Sequence, residues 1–148
     1  MSKNYLSKED QELIVSAIQS AELATSGEIR VHIEPKVSMD PIKRAQEVFF
    51  SLGMEKTDQK NGVLIYLAME DRKLAIVGDE GIHQKVGSSF WEEEKELMKS
   101  HFIKEEFAIG LSSAIEKVGE KLKAHFPYQS NDVNELSNEI SFGGSENE

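Results

Sequence analysis

NGVLIYLAMEDRKLAIVGDEG, residues Asn61 to Gly81, is the stretch on which the fold turns. Val63 to Ala68 is continuously apolar, as a strand buried on both faces is. Leu74 to Val77 is a second, shorter apolar run. Between them lies Met69-Glu70-Asp71-Arg72-Lys73, whose charge demands water. So short a link forces antiparallel pairing, because a parallel return needs a crossover of about a dozen residues. Glycines border the unit: Gly62 before it, Gly78 and Gly81 after it. Glu70, Asp71, Asp79 and Glu80 therefore sit at strand ends, where stiff backbone meets solvent.

Working toward the N-terminus, Asp40-Pro41 is an N-cap and first-turn pair. It opens a helix with Ala45, Val48, Phe49 and Leu52 on one face. Before it, Glu28 to Glu34 alternates polar and apolar, which predicts a strand with Ile29, Val31 and Ile33 on one side. Such alternation suits an edge strand or a partly wet face. His32 reads as a solvated side chain, with a ligand or base role as the alternative. Strand, helix, strand implies a right-handed crossover with the two strands parallel. Further back, Ser7 caps a helix carrying Leu13, Ile14, Ala17 and Ile18, which stops at Thr25-Ser26-Gly27.

Toward the C-terminus, Gly81 to Val86 predicts a helical turn or loop. A helix follows with Phe90, Trp91, Leu97 and Met98. Its Glu92, Glu93, Glu94 and Glu96 read as a solvated face that complements the helix dipole. The longest helical pattern runs from Phe107 to Phe126 and ends at Pro127. These elements define one domain, residues 1–127, and a polar, flexible tail, residues 128–148.

The chain has 148 residues, with 17 Lys and Arg against 27 Asp and Glu, for a net charge of -10. Nucleic-acid binding, which rests on Lys and Arg at phosphates, is disfavoured. Cations, or a basic surface on another protein, suit this charge better. The absence of cysteine excludes disulfides, thiolate catalysis and Cys-based metal sites. No apolar run approaches the ~20 residues that span a bilayer. The expected protein is cytoplasmic and monomeric, with no membrane span.

Ser26-Gly27-Glu28-Ile29, Asn61-Gly62-Val63-Leu64-Ile65, Asp71-Arg72-Lys73 and Phe107-Ala108-Ile109-Gly110-Leu111 occur in an order that resembles the TPM domain. That family has thylakoid, photosystem-repair and receptor-associated members. The resemblance spans about Ser7 to Phe126. It implies a Rossmann-like, three-layer α/β/α sandwich around a mixed four-stranded sheet with one antiparallel strand. Three strands are strong here; Pro35-Lys36-Val37 and His101-Phe102-Ile103 are the candidates for a fourth. The resemblance also implies divalent-metal binding, notably calcium, and weak acid-phosphatase activity. Where relatives have a glycine-aromatic-glycine segment, this chain has Gly78-Asp79-Glu80-Gly81, which favours a cation over a phosphate.

Strand direction divides the acids into two candidate sites. Glu70 and Asp71 leave the carboxyl end of the first hairpin strand, near the loop after Ile33. Glu28, Asp79 and Glu80 gather at the opposite edge, with loop carbonyls near Asn61. Calcium takes six to eight oxygens at about 2.3–2.6 Å, and magnesium fewer protein ligands with more water. The alternative is that these are surface acids, with Asp71 paired to Arg72 or Lys73. If the chain were a metal-dependent phosphatase acting on phosphomonoesters, Asp71 and Arg72 would be its carboxylate and cation. No Walker loop, GxSxG elbow or HExxH motif is present. A third reading is an adaptor whose acidic helix or tail recruits a basic partner.

Overall fold

The computed structural model of the chain describes residues 6–128 and 140–143. The elements are α1 (Lys8–Glu22), β1 (Glu28–Glu34), α2 (Pro41–Ser51), a 3-10 turn (Met54–Lys56), β2 (Gly62–Ala68), β3 (Lys73–Gly78), α3 (Glu80–Val86), α4 (Ser88–Phe102), α5 (Phe107–His125) and β4 (Ser141–Phe142). They form a three-layer α/β/α sandwich around a mixed sheet of order β3-β2-β1-β4. β1 is parallel to β2 and to β4, while β2 and β3 are antiparallel.

The sequence explains these elements locally. The Ser7 hydroxyl accepts the N–H of Asp10 at 3.0 Å and starts α1. Asp40 accepts the N–H of Ile42 at 2.9 Å and starts α2, with Pro41 just inside. β2 is buried along its whole length, as its unbroken apolar run demands. Its Val63, Ile65 and Leu67 join Ile29, Val31 and Ile33 of β1 under α1, α4 and α5. On the other face Leu64, Tyr66 and Ala68 pack against Ala45, Val48 and Phe49 of α2. Each fully buried Leu or Ile contributes about 1.5–3 kcal/mol, so the two faces of β2 anchor both helical layers.

Two expectations need correction. The fourth strand is neither Pro35-Lys36-Val37 nor His101-Phe102-Ile103; it is Ser141–Phe142, paired with His32 and Ile33. Consequently β1 is an interior strand, flanked on both sides. The N–H of Gly143 continues the pairing to the carbonyl of Ile33 at 2.9 Å. Residues 129–139 and 144–148, the greater part of the expected flexible tail, lie outside the described residues.

Candidate functional site

At the amino edge of the sheet three strand ends lie side by side. Glu28, the first residue of β1, pairs in register with Gly62, and its N–H reaches the carbonyl of Asn61 at 3.3 Å. On the other side the carbonyl of Gly62 accepts the N–H of Asp79 at 2.9 Å. Neighbouring strands are about 4.8 Å apart, so Glu28, Gly62 and Asp79 form a row, with Asn61 one residue before it. Glu28 is 2% exposed and Asn61 is 1% exposed. The Asn61 amide nitrogen donates to the Ser26 hydroxyl at 3.4 Å, while its Oδ1 is buried without a hydrogen-bond partner. Asp79 caps α3: Oδ1 accepts the N–H of Glu80 at 2.8 Å, and Oδ2 is buried without a donor. The loop before β2 presses onto this row. A Cβ on Gly81 would lie 2.2 Å from the carbonyl oxygen of Gln59 and 2.5 Å from that of Lys60, so only glycine permits the approach. Glu80 is exposed in the first turn of α3.

Glu22, which sequence reasoning missed, belongs to this edge. It is the last residue of α1, and its Oε2 accepts the N–H of Ile29 at 2.8 Å. Burial pushes its carboxyl up to about 9; the Ile29 N–H opposes that shift, and neighbouring Glu28 adds to it. At neutral pH a proton therefore sits in this carboxyl pair. The reversal from α1 to β1 across residues 23–27 brings the two acids together. A glutamate on each side of a helix-to-strand turn was the available signal.

The opposite edge is built differently. The Asp71 Oδ2 accepts the N–H of Val37 at 2.8 Å, and the N–H of Glu70 donates to the carbonyl of Pro35 at 2.8 Å. The hairpin turn thus clamps the loop leading from β1 to α2. Among the described residues no ion pair joins Asp71 to Arg72 or Lys73. β1 and β2 have seven residues each, so the two edges stand about 20 Å apart. Glu28, Asp79 and Glu80 share one edge, and Glu70 and Asp71 the other. Among the described residues no three His, Asp or Glu side chains converge as a metal-binding group.

A third polar cluster lies under α2. Glu34, 2% exposed, accepts Arg44 Nε on Oε2 and Arg44 Nη2 on Oε1, both at 2.8 Å. The Tyr66 hydroxyl donates to Oε2, and His32 Nε2 lies 3.2 Å from Oε1. His32 Nδ1 lies 2.9 Å from the Ser141 hydroxyl. Burial alone would raise the Glu34 carboxyl. The Arg44 fork, then His32 and Tyr66, overcome it and hold the group well below the usual carboxylate range. Burial, and then Glu34, push the Tyr66 phenol above its ordinary value. His32 is 6% exposed and stacks on Tyr66, so the expected solvated side chain is a buried link to β4. The acidic face of α4 also needs one correction: Glu94 is buried, and burial raises its carboxyl.

A mixed sheet with helices on both faces, and acids divided between its two edges, defines the structural class. The chain belongs to the TPM domain family, whose profile matches residues 2–121. The chain is similar to the BA42 protein of the psychrophilic bacterium Bizionia argentinensis, solved by NMR. The two share 43% identity over 93% of this chain and 95% of that one, with a TM-score of 0.86. The N-terminal domain of the cg2496 protein of Corynebacterium glutamicum shares the fold at 18% identity. That match covers 87% of this chain and 80% of that one, with a TM-score of 0.65. An N-terminal domain from P. gingivalis also does so at 18% identity, over 85% and 83%, with a TM-score of 0.68. Among curated proteins none matches. No helix of the described residues is long and apolar enough to cross a membrane.

Proposed function

We propose that this TPM-domain chain binds a divalent hard cation, calcium before magnesium, at the amino edge of its sheet. The observation that carries the reading is the two buried acceptors without donors, Asn61 Oδ1 and Asp79 Oδ2, at the sheet edge that also bears Glu28. A cation satisfies acceptors that no N–H reaches. Glu28 and Asp79 would supply charge and Asn61 a neutral oxygen, and a cation there would draw the proton off neighbouring Glu22. Loop carbonyls and water would complete the six to eight oxygens that calcium takes. Glu80 adds negative charge beside the site. Few carboxylates imply modest affinity, with Kd of about 0.1–1 mM. Glu70 and Asp71 would at most bind a second ion separately. Nothing among the described residues favours a phosphatase at Asp71 and Arg72, or an acidic adaptor, over this reading.

The test is a calcium titration followed by amide NMR, with calorimetry in two buffers of different ionisation heat. Saturable shifts are expected at residues 26–29, 59–62 and 78–82, with a fraction of a proton released per ion at pH 7. Asp79→Asn preserves the helix cap, because Asn caps as well as Asp, yet should weaken binding about tenfold. Asp71→Asn should leave it unchanged. Shifts centred on Glu70 to Lys73, or binding untouched by Asp79→Asn, would refute the assignment.

A further inference from the structure

At the carboxyl edge of β2, remote from the cation site, a cleft opens between the β2–β3 hairpin and the junction of α4 with α5. Its volume is about 190 Å³. Leu67 and Leu74 form the floor; Phe102 and Phe107 form a wall, with ring centroids 5.2 Å apart. Ile103, 80% exposed, stands at the mouth. Among the described residues, the cations Arg72 and Lys99 are the only charged residues that line it. Lys99 has a solvent-exposed, 3.5 Å contact with Glu96, which is worth little, and Arg72 is exposed on the hairpin turn. The neighbouring Asp71 directs Oδ2 to the Val37 N–H. A doubly cationic rim around an apolar hollow is unusual on a chain of net charge -10.

We propose that this cleft binds a small amphiphilic carboxylate, with one aromatic ring or a short alkyl chain against Phe102 and Phe107 and its anionic head between Arg72 and Lys99. Size and charge both point to this class. A dry cavity of about 150 Å³ takes benzene, whereas drug-sized ligands need about 300–1,000 Å³. Arg presents a planar fork that matches a carboxylate. The location also fits: open α/β sheets hold ligands beyond the carboxyl ends of their parallel strands. The apolar body would exclude water from Leu67 and Leu74, and the head would remain at the rim, where its desolvation cost is small.

The probes are benzoate and octanoate, each compared with its neutral alcohol, benzyl alcohol or octanol, by amide and methyl NMR. The acids should shift Leu67, Met69, Leu74, Phe102 and Phe107 and bind more tightly than the alcohols. Arg72→Gln combined with Lys99→Gln should weaken the acids about tenfold, as loss of charge-assisted hydrogen bonds does, and leave the alcohols unchanged. Both variants alter exposed side chains, so folding is retained. Ile103→Trp, also at an exposed position, should narrow the mouth and weaken acids and alcohols alike. Equal binding of acid and alcohol overturns the proposal, as does a response outside the cleft. Association with phosphatidylglycerol vesicles without a response to monomeric octanoate would also overturn it, in favour of a membrane-docking face. Calcium titration at the other edge is a separate readout, so either assignment can fail alone.

Discussion

Replacing Arg44 with alanine tests the buried polar cluster under α2. Glu34 is 2% exposed and receives two nitrogens of Arg44, each at 2.8 Å. Removing one partner of a buried ion pair costs about 3–5 kcal/mol, because an unpaired charge is left behind. Here the Arg44 side chain is 33% exposed, so water enters the vacated place and the expected loss is about 2–4 kcal/mol. For a chain of this size that is about 4–16 °C in Tm. The pH dependence has a definite sign. The folded Glu34 carboxyl is held below its ordinary value of 4.5, so its contribution to stability is present above that value and is lost as pH falls. In Arg44→Ala burial dominates and the folded carboxyl rises. The difference between the two proteins is then full at pH 7 and shrinks through the carboxylate range, by up to about 1.4 kcal/mol per pH unit. Urea denaturation at pH 7, 5 and 4 measures it. Arg44→Lys, which keeps the charge but loses the fork, should fall between. A loss below about 1 kcal/mol, or one that is constant with pH, would show that the Arg44–Glu34 pair does not hold this face.

Two further outcomes concern the opposite edge. The Glu22 carboxyl is raised from 4.5 to about 9, so its stabilising effect is present below the lower value and is lost as pH rises toward the upper one. Glu22→Gln keeps an acceptor for the Ile29 N–H and should match the parent at pH 4 yet exceed it at pH 9 by at least about 1 kcal/mol; parallel urea curves at the two values would refute this. Gly81→Ala sets helix propensity, a gain of about 1 kcal/mol, against a Cβ placed 2.2 Å from a backbone carbonyl, a loss of about 1–3 kcal/mol. The clash should win, lowering Tm and weakening calcium binding, so a raised Tm would show that the loop yields freely.

The centre of the fold was legible because it depends on local pattern. The unbroken apolar run of β2 could only be a strand covered on both faces, and the five charged or polar-flanked residues after Ala68 left no room for a crossover. Strand direction then assigned Glu28 and Asp79 to one edge and Asp71 to the other, as the register shows. β4 was not legible. Two paired residues in a polar segment carry no periodicity, and what fixes them is tertiary: the Gly143 N–H on the Ile33 carbonyl and the Ser141 hydroxyl beside His32. Glu22 escaped notice for a related reason. A glutamate at a helix end reads as solvated until the turn that follows places it against another acid.

The alternation of β1 misled in a more instructive way. Arg30, His32 and Glu34 share one side of the strand, and polar residues at every second position ordinarily mark a wet face. Here α2 packs over β2 and β3, and its Arg44 side chain reaches across to that face of β1 with a cation. Arg44 neutralises Glu34, Tyr66 from the adjacent strand supplies a third donor, and His32 passes the network to Ser141. Hydrophobic residues of similar volume would give comparable stability, but they would fix neither the rotation of α2 over the sheet nor the register of so short a strand. The Arg44 fork on Glu34 orients α2, and His32, held by Glu34, meets Ser141 of β4. Gly143 adds a steric check, since a Cβ there would meet the His32 ring at 2.8 Å. The buried charge is thus better understood as the device that locates β4 and α2 than as a source of net stability. Arg44→Ala should accordingly broaden or shift the Gly143 amide before the rest of the sheet responds. A native Gly143 signal in that variant, with stability lost elsewhere, would separate the two roles and leave β4 to be held by its pairing with β1 and by Phe142 packing.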